Sequence, residues 1–401
     1  MATSRLAVGE PAPWFVAACT NNPKFHFESV SGRYVVLCFL GSGATEASQQ
    51  ILSDMLQHRE RFDDKACCFF GVSTDPEDEG RSLTQQLIPG IRFFWDFDQT
   101  LSQKFGVVDD DGTYRPCTYI LDERLRVLAI IPFDSSVDSG VKTHVEQWIP
   151  FLSEVPEFPS EPASVQAPIL VVPRIFEPDL CRALIDYYDH NGGEESGFMR
   201  EVKGQTIHIK DHSFKRRRDQ DIVDVELRNA AMYRIHDRLV PEIKKAFQFQ
   251  VTRIERHIVA CYDSTSGGFF KPHRDNTTKG TAHRRFAVTL NLNAEEYEGG
   301  ALRFPEFGRK TYVAPTGGAV VFSCSLLHEA TPVTQGLRYA YLPFLYDDEA
   351  ASIRQKNLRY IADSEELSDK TESRHDQNAD SKMDKPKGFR SKKVKSKQKR
   401  R

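Results

Sequence analysis

The stretches CYDSTSGGFFKPHRD, residues 261–275, and GAVVFSCSLLHEATPVTQGLRYAY, residues 318–341, lie in a part of the chain made of short apolar runs. Glycine and proline separate these runs, for example at Gly299–Gly300 and Pro315–Gly318. Many short strand-like runs with turn residues between them are typical of an all-β sandwich or jelly roll. The sequence therefore predicts such a fold after Val251.

Three side chains in these stretches have the chemistry of metal ligands. His273 and Asp275 are two residues apart, and on an extended chain such residues point to the same side. His328 ends a distant strand-like run, which a double-sheet fold can bring next to them. Two imidazoles and one carboxylate leave three positions open on a non-haem Fe(II), enough for a bidentate ligand and dioxygen. Arg338 adds a permanent cation that can bind a dicarboxylate co-substrate through two hydrogen bonds.

Each of these residues also has an ordinary interpretation. A single H-x-D is a weak signal, since about one chance occurrence is expected among the twelve histidines. His273 and Asp275 could pair in a surface turn, and His328 could be a core histidine. Arg338 could be a salt-bridged strand residue. Their combination on strand-like segments favours the metal-site interpretation.

The segment from Ile169 to Asp348 resembles the Fe(II)- and 2-oxoglutarate-dependent dioxygenases of the prolyl 4-hydroxylase type. The resemblance covers nearly half of the chain and implies a double-stranded β-helix, or jelly roll, with a helical lead-in. Helical spacing of apolar residues around Glu177–His190 and Val223–Phe247 agrees with that lead-in. The resemblance is carried by the two stretches above and by ILVVPRIFEPDLCRALI, FAVTLNLN and EGGALRFPEF.

The resemblance also implies roles for individual residues. By position, His273, Asp275 and His328 correspond to the iron ligands. Arg338 corresponds to the residue that anchors the C5 carboxylate of 2-oxoglutarate. Tyr262 corresponds to a tyrosine that supports the co-substrate from the preceding strand, although it lies two residues farther from the H-x-D than in the family pattern.

The implied reaction consumes dioxygen and decarboxylates 2-oxoglutarate to succinate while a C–H bond of the substrate is hydroxylated. The implied cofactor is Fe(II), with L-ascorbate as reductant. We expect the substrate to be a prolyl or other protein or peptide side chain, or a small molecule. Asn291 or Asn293 is expected to line the pocket, and the sequence does not choose between them.

Residues 1–155 have a different pattern. Continuous apolar runs such as Tyr34–Leu40 and Ala66–Val72 alternate with a helical segment over Glu46–Phe62, which predicts an α/β sandwich with strands buried on both faces. This part resembles the peroxiredoxin branch of the thioredoxin fold. The matching segments are GEPAPWF, YVVLCFLGSGATEAS, FFGVSTD, FDQTLSQKFGV and TYILDERLRVL.

The resemblance aligns Ser48, three residues after Thr45, with the peroxidatic cysteine of that family. A serine hydroxyl does not ionise near neutral pH as an activated thiol does, so we expect no peroxide reduction by this route. Cys38 lies within a predicted strand and is expected to be buried and inert. The adjacent Cys67 and Cys68 point to opposite faces, which disfavours a disulfide between them.

The composition is that of an ordinary globular protein, with 401 residues, 39% hydrophobic and 28% charged. It excludes collagen-like, wholly disordered and disulfide-scaffold chains. No apolar run approaches the roughly 18 residues that span a bilayer, so no membrane partner is expected. The eight scattered cysteines form no CxxC pair, which favours reduced thiols in the cytoplasm, or in the nucleus of a eukaryote.

The chain divides into four predicted parts. The last 17 residues, from Lys385, carry ten Lys or Arg and no acid, whereas residues 1–384 have a net charge of −13. Such a tail could bind nucleic acid or an acidic partner. The parts are a peroxiredoxin-like domain 1–155, a proline-rich linker 156–168, the dioxygenase domain 169–350 and a disordered basic tail 363–401.

Other functions stay open on the sequence alone. The chain could be a thiol-based redox protein, a non-catalytic adaptor with a decayed oxygenase, or a nucleic-acid demethylase that uses the basic tail. The histidines of HIKDH, His208 and His212, and the basic run Lys215–Arg218 are predicted to form a solvated loop near the pocket mouth. An electropositive wall that selects an acidic substrate is the alternative interpretation.

Overall fold

The structure, a computed structural model, describes residues 5–133, 143–153 and 165–361 and the backbone pairing of Ser381–Lys382. Most of the predicted linker 156–168 and, apart from that pair, the predicted tail 363–401 lie outside the described residues. The chain forms two compact units, residues 1–162 and 163–401.

The first unit contains a seven-stranded mixed sheet in the order β2-β1-β5-β4-β3-β6-β7. Strands β3, β4 and β5 run parallel, and β6 is antiparallel to β3. The elements are β1 (Val16–Cys19), β2 (Asn22–His26), β3 (Tyr34–Gly41), α1 (Glu46–Leu56), β4 (Cys67–Ser73), β5 (Ile91–Trp95), α2 (Thr100–Lys104), β6 (Cys117–Leu121), β7 (Val127–Pro132) and α3 (His144–Ser153).

Strand β3 shows why its sequence is an unbroken apolar run. Val35, Leu37 and Phe39 pack into the core on one face of the sheet. Their neighbours in the sequence, such as Val36 and Leu40, pack into the core on the other face with α1 and α3. The two-sided α/β sandwich is therefore confirmed. The helix predicted over 46–62 ends earlier, at Leu56.

The second unit is built on two antiparallel sheets that form the predicted jelly roll. The major sheet has the order β26-β14-β25-β17-β24-β15-β13-β9, with β21 joining β17 to β8, and the minor sheet has the order β12-β16-β22-β19-β20. The strands are β8 (Leu170–Val172), β9 (Glu194–Glu195), β10 (Phe198–Val202), β11 (Gln205–Ile209), β12 (Lys215–Arg216), β13 (Arg218–Asp221), β14 (Arg253–Glu255), β15 (Ile258–Asp263), β16 (Phe269–His273), β17 (Phe286–Asn291), β18 (Glu298–Gly299), β19 (Leu302–Arg303), β20 (Thr311–Tyr312), β21 (Ala319–Ser323), β22 (His328–Ala330), β23 (Val333–Gln335), β24 (Leu337–Tyr341), β25 (Phe344–Tyr346) and β26 (Ser381–Lys382).

Helices cover one face of the major sheet and so leave its other face to the site. They are α4 (Pro178–Asn191), α5 (Val225–Arg234) and α6 (Val240–Phe247), with a π-helical turn, Ile235–Leu239, joining the last two, and α7 (Asp348–Asn357) follows the last strand of the roll. In the segment Val223–Phe247, predicted to be helical, Ile235, Leu239, Ile243 and Phe247 repeat at helical spacing. The first three are fully buried against this sheet, and Phe247 packs there partly buried. Alternate residues of β21, such as Val320 and Phe322, turn to the core on the opposite face.

One segment departs from the sequence-based prediction. Residues 194–221, expected to include a solvated loop at Lys215–Arg218, form the short strands β9 to β13. Lys215 and Arg217 are buried, whereas Arg216 and Arg218 are exposed, because successive residues of an extended chain face opposite sides. The prediction of a solvated loop is wrong for Lys215 and Arg217.

Among the helices that the structure describes, none is long and apolar enough to cross a membrane.

The packing of Gly71 in β4 gives a test of the first unit. A Cβ at this position would lie 2.4 Å from Cδ1 of the buried Phe93, so we expect Gly71→Ala to lower the free energy of unfolding by about 1–3 kcal/mol. Gly80→Ala is the control, since its Cβ would meet no atom within 4 Å. All three tryptophans, Trp14, Trp95 and Trp148, lie in this unit, so denaturant titration followed by tryptophan fluorescence reports on it alone. Equal midpoints for the two variants would contradict the packing argument.

Candidate active site

Three side chains that can bind a metal lie close together at the paired ends of β16 and β22 in the minor sheet. His273 ends β16, His328 begins β22, and the two are directly opposite each other in an antiparallel pair. Asp275 follows two residues after His273, and its backbone N–H donates to the carbonyl of Cys324 at the end of β21. One ligand atom from each of the three side chains lies within 4.8 Å of the others. The structure thus brings together the three residues that the sequence singled out.

Hydrogen bonds fix how the imidazoles present their nitrogens. Nδ1 of His273 donates to the carbonyl of Lys271 at 2.7 Å, and Nδ1 of His328 donates to that of Leu326 at 3.0 Å. Nε2 is therefore the ring nitrogen that each histidine can offer to a metal, with Nδ1–H held by a backbone carbonyl. The Nε2 atoms lie 3.6 Å and 3.3 Å from the carboxylate oxygens of Asp275.

The charge states also fit a cation. Burial lowers the pKa of His328 to about 4, so the ring is neutral at pH 7. Burial alone would raise the pKa of Asp275, but the two imidazoles outweigh it and hold that pKa below its usual value. Two imidazoles and one carboxylate are a donor set that suits a divalent transition metal and leaves an open face.

Arg338 is a buried cation with two nitrogens that have no hydrogen-bond partner among the described residues. It lies on β24 opposite Tyr262 and is 2% exposed. Its Nε and Nη1 are buried and have no hydrogen-bond partner within the described part of the chain. Such a group costs free energy unless an anion binds it, so the site has the chemistry to hold a carboxylate. Gly300 permits this placement, because a Cβ there would lie 2.8 Å from Cδ of Arg338.

Tyr262 supports this arginine. Its ring centroid lies 4.9 Å from Cζ of Arg338 and 5.7 Å from Cζ of Arg217. Its hydroxyl accepts a hydrogen bond from Nη1 of Arg217 at 3.3 Å. The ring of Tyr262 therefore orients the guanidinium of Arg338, while its hydroxyl is bound by the guanidinium of Arg217. A direct contact between Tyr262 and a co-substrate stays a prediction.

All five residues line one cavity of about 1090 Å³. The expectation that Asn291 or Asn293 lines it is wrong, since neither does. Both asparagines are tied to backbone instead, Asn291 donating to the carbonyl of Ala314 and Asn293 to that of Leu337.

One part of the cavity wall is a segment that the sequence analysis interpreted first as a solvated loop. Arg217 donates from Nε and Nη2 to the two carboxylate oxygens of Asp219, each at 2.6 Å, and the buried Lys215 lies on the same face. The sequence contained one signal for this wall, the placement of charged residues at every second position. Lys215, Arg217 and Asp219 are spaced by two, as on one side of a strand.

The first unit has no reactive thiol at the aligned position. Ser48 lies in the first turn of α1, fully buried, and its hydroxyl donates to the carbonyl of Leu40. Thr45 caps the helix by accepting from the backbone N–H of Ser48. All eight cysteines are buried and free of disulfides. The predicted burial of Cys38 is confirmed, and Cys67 and Cys68, which pack into cores on opposite faces of the sheet, form no disulfide with each other.

Comparison with known proteins agrees with this division. Residues 8–130 match the AhpC/TSA family, and residues 257–346 match the 2OG-Fe(II) oxygenase superfamily. A PKHD-type hydroxylase of Synechococcus sp. is 28% identical over 117 residues, which cover 27% of this chain and 51% of that protein. The chain spans about half the length of that curated relative.

Two solved structures are similar in fold to separate parts of the chain. A Pseudomonas putida prolyl-4-hydroxylase has 20% sequence identity and a TM-score of 0.36, covering 45% of this chain and 94% of its own. Mycobacterium bovis AhpC has 19% identity and a TM-score of 0.31, covering 38% of this chain and 99% of its own.

The metal-binding geometry predicts that single ligand variants lose a divalent cation. We expect His273→Ala and His328→Ala each to weaken Fe(II) binding by more than about 100-fold, because each removes one of three donors. The control is His212→Ala, whose side chain is 61% exposed and does not line the cavity. Anaerobic equilibrium dialysis measures the affinity. Unchanged binding in both ligand variants would show that the cluster is not a metal centre.

The cysteine environments predict a chain that is inert to thiol reagents. Burial raises the pKa of every cysteine, to about 12 for Cys38 and Cys67. We expect native labelling by N-ethylmaleimide to be at least about 100-fold slower than labelling of the urea-unfolded chain, where all eight react. Mass spectrometry counts the adducts. One fast-reacting cysteine in the native chain would restore the thiol-redox hypothesis.

Proposed function

Because the chain joins a domain of the AhpC/TSA family to a domain of the 2OG-Fe(II) oxygenase superfamily, we propose that it is an Fe(II)- and 2-oxoglutarate-dependent dioxygenase that hydroxylates a C–H bond. The observation that supports this most directly is the buried Arg338, whose Nε and Nη1 are unpaired within the described residues. It lines the same cavity as His273, Asp275 and His328. An anion site and a metal site in one cavity are what a chelating dicarboxylate requires.

The proposed roles follow from the contacts. His273, Asp275 and His328 would hold Fe(II), and Arg338 would bind the distal carboxylate of 2-oxoglutarate through its free N–H groups. Tyr262 and Gly300 keep that guanidinium in place, one by stacking and the other by leaving room for it. When bound, the iron supplies oxidative decarboxylation of 2-oxoglutarate to succinate coupled to insertion of one oxygen atom of dioxygen into the substrate.

The remaining assignments are part of the same proposal. The substrate is a prolyl or other protein or peptide side chain, or a small molecule, and L-ascorbate serves as reductant. The relatives that match the second unit are named PKHD-type hydroxylases, which supports a hydroxylation. The eight buried cysteines without disulfides support a reducing compartment such as the cytoplasm. We assign no peroxide chemistry to the first unit, because Ser48 replaces a thiol.

Arg338 and Gly300 provide the test of the co-substrate site. We expect Arg338→Gln to weaken 2-oxoglutarate binding by roughly 10- to 100-fold, because a charged hydrogen-bond donor is lost, while Fe(II) binding is retained. Gly300→Ala should weaken it as well, since the added Cβ displaces Cδ of Arg338. Anaerobic binding of radiolabelled 2-oxoglutarate to the Fe(II)-loaded protein measures both.

A matched glycine separates displacement of Arg338 from backbone strain. Gly267 has φ +61, close to the +62 of Gly300, but a Cβ there would meet no atom within 4 Å. Gly267→Ala should therefore bind 2-oxoglutarate like the unmodified chain. If Arg338→Gln binds it normally, or if the unmodified chain does not bind it, the proposed function is wrong.

A further inference from the structure

A second group of cations lies on the wall of the cavity. Lys215, Arg217 and Arg256 all line it, and their charges act together on one partly buried carboxylate, that of Asp219. Around Asp219 the positive charges outnumber the negative one, although Glu255 and five further carboxylates also line the cavity. Lys215 and Arg217, which the sequence assigned to a solvated loop, belong to this wall together with Arg256.

Two of these cations are fully engaged by the protein. Arg217 binds both oxygens of Asp219, each at 2.6 Å. Nζ of Lys215 donates to the hydroxyl of Ser196 and to the carbonyl of Gly197, each at 2.6 Å. Because these N–H groups already donate to the protein, Lys215 and Arg217 have few donors left to bind a ligand.

Arg256 differs from both. Its guanidinium donates no hydrogen bond to any residue that the structure describes, and its nearest carboxylate oxygen, on Asp219, is 3.7 Å away. The other acidic group that acts on it, Glu255, already accepts from Arg284 at 2.6 Å. Each carboxylate near Arg256 is thus bound by another arginine.

The backbone and an aromatic ring hold Arg256 in the cavity wall. It lies between β14 and β15 with φ +67, in the left-handed region that costs a non-glycine residue about 1 kcal/mol or more. Its Cζ lies 5.1 Å from the ring centroid of Phe344. The side chain is 23% exposed and lines the cavity. A strained residue whose oriented guanidinium donates no hydrogen bond within the described chain has the properties of a ligand-binding group.

We propose that Arg256 binds a carboxylate of the substrate, so that the molecule hydroxylated in this cavity is an acidic one. This inference rests on the proposed function, in which Arg338 is reserved for 2-oxoglutarate and a second arginine is left for the substrate. A guanidinium binds a carboxylate through two parallel hydrogen bonds, and the neighbouring cations add to the attraction. The carboxylate can belong to an acidic side chain of a peptide or to a free acid.

The same surplus of positive charge acts on Arg256 itself. Burial first, and then Arg217 and Arg284, lower the pKa of Arg256 to about 10. An incoming carboxylate would offset that repulsion.

The experiment compares acid and amide members of matched ligand pairs. The full chain is loaded anaerobically with Fe(II) and saturating 2-oxoglutarate, which fills the Arg338 site. Calorimetry then measures binding of capped pentapeptides with a central proline that carry Glu or Gln at each other position, and of N-acetylglutamate against N-acetylglutamine. We expect at least one acid to bind about tenfold or more tighter than its amide.

Variants of Arg256 test whether this residue causes the preference for the acid over the amide. In Arg256→Gln the acid and amide members should bind equally, and Arg256→Lys should keep part of the preference, because it retains the charge without the planar pair of donors. Lys244→Gln makes the same change of charge at an exposed lysine of α6 outside the cavity and should keep all of it. The 2-oxoglutarate affinity of Arg256→Gln should equal that of the unmodified chain.

The outcomes separate this inference from the proposed function. If peptides with Glu bind more tightly than those with Gln, the ligand is a peptide carboxylate. If only N-acetylglutamate binds more tightly than its amide, the ligand is a free acid. Either preference supports the inference when Arg256→Gln removes that preference. No acid preference in the unmodified chain, or one that survives in Arg256→Gln, overturns the inference while 2-oxoglutarate binding upholds the dioxygenase. Absence of 2-oxoglutarate binding in the unmodified chain overturns the proposed function and this inference with it.

Discussion

The antiparallel register that sets His273 of β16 opposite His328 of β22 is the constraint on which the site depends. A shift of one residue in either strand would turn its imidazole to the other face of the sheet. A bulge between Phe270 and His273 adjusts the end of β16, and the bond from Asp275 N–H to the Cys324 carbonyl holds the third donor beside it. The three donors are therefore positioned by backbone pairing, before any ligand contributes.

Around this centre several of the buried charges are held in hydrogen-bonded pairs. Arg217 pairs with Asp219, and Glu255 accepts from both His283 and Arg284. Removing charges from water is costly, and such pairs recover the cost only when their hydrogen bonds are complete. Arg338 and Arg256 lack such bonds within the described chain. These two arginines are consequently where the cavity has capacity for anions, one close to the metal-type donors and one on the cationic wall.

The first unit shows how a fold persists without the chemistry associated with it. Thr45 caps α1 through the backbone N–H of Ser48, and the Ser48 hydroxyl is satisfied by the carbonyl of Leu40. A serine therefore meets every local requirement of the helix start, although it cannot supply a thiolate. The sheet, its two cores and the capped helix are retained, because they depend on burial and capping and not on the reactivity of one side chain.

The sequence by itself determined the two architectures and the metal-type donors. Unbroken apolar runs require strands buried on both faces, the spacing of Ile235, Leu239 and Ile243 requires one helical face, and H-x-D places two donors on one side of a strand. Only the tertiary structure decided the cavity wall. Strands β9 to β13 are short and polar, so their pairing, and with it the burial of Lys215 and Arg217, depends on partners distant in sequence. Asn291 and Asn293 turned to backbone carbonyls instead of the cavity, because hydrogen-bond partners supplied by the folded chain outweigh local preference. The left-handed conformation of Arg256 likewise belongs to the turn between β14 and β15, which forms only when these strands pair with distant partners.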